Sequence, residues 1–146
     1  PNAETYNKLL LSNLDFDFNE ETIIVGHSSG AVEALSLLQH LPDNTKVKEV
    51  FLVSAFKDDL GWDALTGLFT EPFDFEKIKT KAGKFVFLHS DNDPYVPLEQ
   101  AQYLAEQVGG ELIVKLGQGH FNIELSEQYK AFPELLELIK KNAASR

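Results

Sequence analysis

Residues 22–41 read as a strand, a sharp turn and a helix. The strand is the apolar run Thr22-Ile23-Ile24-Val25, the turn is Gly26-His27-Ser28-Ser29-Gly30, and helical spacing runs from Ala31 to Leu41. The turn has the form Gly-x-Ser-x-Gly. Between a strand and a helix, that form predicts a nucleophile elbow, in which the serine hydroxyl is projected above the sheet edge. The flanking glycines are expected because a Cβ would collide with neighbouring backbone in so tight a turn.

The rest of the chain supplies a sheet for that turn to sit on. Apolar strand-like runs occur at Val47 to Val53, Phe85 to Leu88 and Glu111 to Leu116. Helical patterns separate them. Ala3 to Leu14 places Tyr6, Leu9, Leu10 and Leu14 on one face. Leu98, Ala101, Leu104, Ala105 and Val108 mark another helix, with Pro97 near its first turn and Gly109-Gly110 at its end. Pro133 opens a last helix through Ile139, and Lys140-Lys141 complement its dipole. The alternation predicts an α/β fold, a parallel sheet between two helical layers. The Thr22 to Val25 run lacks alternation, which predicts burial on both sides.

Ligands of such sheets bind beyond the carboxyl ends of the strands. Ser28, Asp93 and His120 each follow a predicted strand, so one edge could gather all three. Residues 54–82 fit the rhythm poorly. Phe56, Trp62, Leu65, Leu68, Phe69, Phe73 and Phe75 are interspersed with Gly61, Gly67 and Pro72. The segment reads either as a lid over the site or as an ordinary crossover between parallel strands.

A chain of 146 residues fits a single domain, residues 1–146. Its net charge of −10 argues against nucleic acid and against anionic membrane. The absence of cysteine excludes disulfides and thiolate zinc sites. No apolar run approaches the ~20 residues of a membrane span, and nothing resembles a signal peptide. A cytoplasmic location is expected. The chain starts at Pro1 and has no methionine, which reads as a fragment.

A serine hydroxyl needs a base within hydrogen-bond reach, and the base needs a partner that fixes its tautomer. His120, in Gly117-Gln118-Gly119-His120-Phe121, is the candidate base. Asp93, in Asp93-Pro94-Tyr95-Val96-Pro97, is the candidate acid, and Asp91 competes with it. The backbone N–H of Ser29 would face the developing oxyanion. A substrate would lie between the elbow and the aromatic segment, against Phe56, Trp62 and Phe69. His89, Asp91 and Asp93 could alternatively be read as metal ligands for a metal-assisted hydrolase. His27 is expected to pack or bond locally, and His40 to be a solvated helix-end residue.

These blocks, together with Leu52-Val53-Ser54-Ala55-Phe56 and Phe73-Asp74-Phe75-Glu76-Lys77-Ile78, resemble the retinoblastoma-binding protein nine family of small α/β-hydrolases. The resemblance runs from Thr22 to Ile139. It implies a compact serine hydrolase of the α/β-hydrolase fold, with Ser28 as nucleophile, Asp93 as acid, His120 as base and no cofactor or metal. It implies a small ester or amide substrate. Binding to the retinoblastoma partner is not transferred, because the usual Leu-x-Cys-x-Glu motif needs a cysteine. The departure is at the N-terminus, where family members begin with a strand whose loop supplies the second oxyanion donor. By that comparison the chain lacks the N-terminal strand region. The rival from a different class is a non-catalytic interaction module on a hydrolase scaffold.

Overall fold

The computed structural model describes residues 1–13 and 15–144. Leu14, expected on the apolar face of the first helix, lies outside the described residues. Four parallel strands form one sheet in the order β1 (Ile23–His27), β2 (Glu49–Val53), β3 (Phe85–Ser90), β4 (Glu111–Lys115). Each is joined to the next by a crossover containing helix. The helices are α1 (Ala3–Leu11), α2 (Ser29–His40), α3 (Phe75–Ile78), α4 (Leu98–Val108) and α5 (Pro133–Ala144). Short 3₁₀ turns occupy Asp63–Leu68 and Glu127–Lys130.

The pleat sends alternate residues to opposite faces. Val50, Leu52, Phe85 and Phe87 meet Ala31, Leu35 and Leu38 of α2 and Leu104 and Val108 of α4 in the main core. Each fully buried leucine there contributes roughly 1.5–3 kcal/mol through its removal from water. Val53 and Leu88 belong to a second cluster with Phe121, against which Leu135 of α5 packs. Helices therefore lie on both faces, as expected for a parallel sheet. Asn2 caps α1 through the Thr5 amide, and left-handed Gly109 ends α4.

Several element boundaries move. The first strand runs on through Gly26 and His27, because these residues pair with Leu52 and Val53. The second strand begins at Glu49 rather than Val47, whose ladder contact is a lone bridge to Ala82. The expectation that Thr22 to Val25 is buried on both sides is wrong. Among the described residues β1 is an edge strand that pairs with β2 alone, and Val25 is 48% exposed. α2 covers one of its faces.

Residues 54–82 connect β2 to β3. They carry the Asp63–Leu68 turn and α3. Their aromatic residues form a small cluster of their own, in which Phe56 and Leu68 bury against Val32 and Val96.

Candidate active site

Ser28 sits between β1 and α2 with φ 56° and ψ −121°. A non-glycine residue in that region is strained and persists only where its surroundings impose it. Two constraints are visible. The Ser28 amide donates to the Val53 carbonyl at 2.8 Å. A Cβ on Gly26 would lie 2.4 Å from the Gly30 carbonyl oxygen and 2.7 Å from the Ala31 Cα, so glycine is required there. Gly30 corrects the expectation that both glycines are needed. A Cβ at that position would meet nothing within 4 Å.

The carboxyl ends of β1, β3 and β4 bring the three expected residues together. Ser28 Oγ lies 3.0 Å from His120 Nε2. His120 Nδ1 lies 2.7 Å from Asp93 Oδ2. With the proton on Nδ1, His120 donates to Asp93 and accepts from the Ser28 hydroxyl. The Asp93 side chain is fully buried and that of His120 is 8% exposed. Burial pushes the Asp93 carboxyl up, but the bonds from His120 and from the Val96 and Tyr95 amides outweigh it and hold it below the usual range. Asp93 Oδ1 takes those two amides at 3.0 and 2.9 Å. The Ser29 amide stands in the first turn of α2, where N–H groups have no intrahelical partner and the dipole favours negative charge.

Asp91 faces another way. Its Oδ1 accepts from the Gly117 amide at 2.8 Å, so it shapes the turn that leads to His120. That placement also undoes the metal reading. His89 is fully buried and its Nε2 donates to the Val96 carbonyl at 2.8 Å. Among the described residues no group of three or more His, Asp or Glu could hold a metal ion.

Sequence reasoning missed the residues that hold the His120 loop. Asn92 Oδ1 accepts from the Gly119 amide at 2.7 Å and from Ser90 Oγ at 2.8 Å. Ser90 Oγ in turn accepts from the Gln118 amide at 2.8 Å. The two amides lie 27 and 28 residues along the chain from the side chains that hold them. The only local signal was a run of short polar residues, Ser90 to Asp93, at a strand end. On the far side of His120, Phe121 has φ 53° and stacks on Phe132 at 5.3 Å.

A cavity of about 420 Å³ opens over Ser28. Phe56, Leu60, Trp62, Leu65 and Tyr95 make its apolar wall, and Asn122 and Glu124 its polar one. Trp62 is half exposed and meets the Tyr95 ring edge-on at 6.2 Å. Phe69 does not line the cavity. It stands one layer back, 5.9 Å from both Phe56 and Phe73. His40 is not simply solvated, since its Nε2 is 2.6 Å from Glu71 Oε2.

A family model described as serine hydrolase matches residues 5–141. Serine hydrolase RBBP9 of Rattus norvegicus is 33% identical over 124 residues, covering 84% of this chain and 61% of that protein. YdeN of Bacillus subtilis (strain 168) is 31% identical over 112 residues, covering 76% of this chain and 59% of that protein. The crystal structure of the ydeN gene product from B. subtilis superposes with a TM-score of 0.87 at 26% identity, over 99% of this chain and 76% of that one. A meta-cleavage product hydrolase from Pseudomonas fluorescens IP01, at 15% identity, TM-score 0.67 and 97% and 73% coverage, shares the fold. The chain spans about three fifths of the length of the two curated relatives it matches. Together the family match, the relatives and the parallel-sheet architecture place it: the chain belongs to the serine hydrolase family and has the α/β-hydrolase fold.

Proposed function

We propose that the protein hydrolyses a small ester or amide through an acyl-serine intermediate. The observation that carries this reading is the continuous relay from Ser28 Oγ through His120 to buried Asp93, at 3.0 and 2.7 Å. Ser28 Oγ attacks the substrate carbonyl carbon while His120 Nε2 takes the hydroxyl proton. Asp93 holds the imidazole in the reactive tautomer and stabilises the imidazolium that forms. The Ser29 amide donates to the tetrahedral oxyanion. As the C–O or C–N bond breaks, His120 returns its proton to the leaving alcohol or amine. Water, deprotonated by His120, then attacks the acyl carbon, and the acid leaves as Ser28 regains its proton.

The acyl group would lie in the cavity over Ser28, against Phe56 and Trp62. That cavity is lined mainly by apolar side chains. The chain's net negative charge favours neutral over anionic substrates. No helix among the described residues is long and apolar enough to cross a membrane. The 54–82 segment then acts as a wall of the substrate site as well as a crossover.

Intact-mass labelling with a fluorophosphonate tests the reading, run beside Ser28→Ala. One adduct on the parent and none on the variant is expected. An unlabelled parent overturns it.

A further inference from the structure

His27 is the last residue of β1 and the residue before the nucleophile. It makes a contact the relay does not use. Its Nε2 lies 2.7 Å from the backbone carbonyl oxygen of His120, and the two rings are 5.0 Å apart. A carbonyl can only accept, so the proton is on His27 Nε2. His120 is thus held at three points. Asp93 takes its Nδ1, Ser28 its Nε2, and His27 its main chain. The first two grip only the ring. The third fixes where the backbone carrying that ring stands relative to the elbow.

We infer that His27 is a positioning residue, a neutral donor that ties the base loop to the nucleophile elbow and so sets the Ser28–His120 distance. This role rests on the hydrolase reading of the same site. Geometry gives it its force. Ser28 is fixed by β1 and β2, whereas His120 hangs on the loop after β4, on the far side of the sheet from β1. Rotation of the His120 ring cannot correct an error in the position of its Cα. The His27 bond spans that gap directly, because residue 27 is part of the same turn as the nucleophile.

Neutrality also matters. Burial of part of the ring lowers the pKa of His27, although the bond to the His120 carbonyl opposes this; nearby His120 lowers it further, and Asp93 and Glu124 raise it. An uncharged donor at this position leaves His120 free to become imidazolium during the reaction. A fixed cation would repel it at close range.

The test compares His27→Gln with His27→Met. The two side chains have nearly the same length, but only glutamine carries an N–H where Nε2 stands. The readout is the second-order rate constant of fluorophosphonate labelling as a function of pH, with thermal unfolding recorded for both. His27→Met is expected to label about tenfold more slowly than the parent, the equivalent of one ordinary hydrogen bond. His27→Gln is expected to recover most of the rate, at equal melting temperature. A third variant, His27→Lys, is expected to move the midpoint of the pH–rate profile to lower pH, since a cation beside His120 disfavours its protonated form. If the parent labels and all three variants match it in rate and midpoint, the positioning role falls while the hydrolase reading stands. Equal losses in His27→Gln and His27→Met also overturn it, because a donor would then make no difference. An unlabelled parent removes both.

Discussion

The two halves of the site are held by different means. Ser28, the proposed nucleophile, is fixed by backbone: a left-handed conformation, a main-chain bond to Val53 and a glycine whose Cβ would overlap Gly30. Asp93 and His120, the proposed acid and base, are fixed by side chains. Asp91 and Asn92 hold the amides of Gly117 and Gly119, and Asp93 holds those of Tyr95 and Val96. The first arrangement tolerates almost no change at one position and much at its neighbour. The second spreads the same task over several weaker bonds, each replaceable in part. Substitutions should therefore act all-or-none on the elbow and by degrees on the loops.

The largest effect on chemistry is expected at the junction of the halves. Asp93→Asn should lower the labelling rate by roughly 10³–10⁴, because the amide favours the wrong imidazole tautomer. It should also alter acid stability. Asp93 has a depressed pKa in the folded state. Its contribution is thus present above the unfolded carboxyl pKa and is lost as pH falls through the folded one. Urea unfolding from pH 6 downward should show a shallower acid loss in the variant. An unchanged acid limb would remove Asp93 as a source of stability.

Within the elbow, Gly26→Ala and Gly30→Ala form a sharp pair. The first forces a Cβ onto backbone and should cost about 3 kcal/mol or more in urea unfolding, with loss of labelling. The second meets open space inside a helix and should be neutral or stabilising by up to about 1 kcal/mol. Equal effects would show that close backbone approach at Gly26 does not hold the elbow.

Glu33 of α2 makes a contrast. It is buried without a hydrogen-bond partner for either oxygen among the described residues, and burial pushes its pKa up to about 7. A raised carboxyl pKa works in the opposite sense to that of Asp93. Its penalty is absent at pH 4 and grows as pH rises toward 7, where the folded state must give up a proton that the unfolded state has already lost. Glu33→Gln should raise stability at pH 8 by up to about 3 kcal/mol and change little at pH 4, as read by paired urea titrations. The smallest effect belongs to the loops. Asn92→Ala should cost about 1–2 kcal/mol and slow labelling modestly, since Asp91 and Ser90 still hold the turn. A complete loss would show that the loop network is not shared.

The same division explains what could be read from the sequence. The elbow is legible because a steric constraint between near neighbours, here at Gly26, leaves a mark in the local sequence. Asp93 and His120 are legible as neighbours of Ser28 because each follows a strand of a parallel sheet, whose ends converge, but the choice of Asp93 over Asp91 rests on the family resemblance. The bonds of Ser90, Asn92 and His27 to the loop that carries His120 were not legible. Their partners lie far along the chain, and a short polar residue has the same local appearance whether it bonds to solvent or to a distant amide. Val25 misled for a related reason. Its apolar neighbours fit a central strand, but edge position depends on the order in which strands pair. Phe69 was placed one layer too near the cavity over Ser28, since spacing alone cannot separate a wall from the packing behind it.

Ser28 in its left-handed conformation places the protein's durability and its chemistry in opposition. Glycine would occupy that backbone without strain, so Ser28→Gly should be about 1 kcal/mol more stable than the parent while lacking the hydroxyl of the proposed nucleophile. Improvement by stability alone would favour loss of the hydroxyl. A search for hardened variants of this chain must therefore hold position 28 fixed and look for its gains elsewhere.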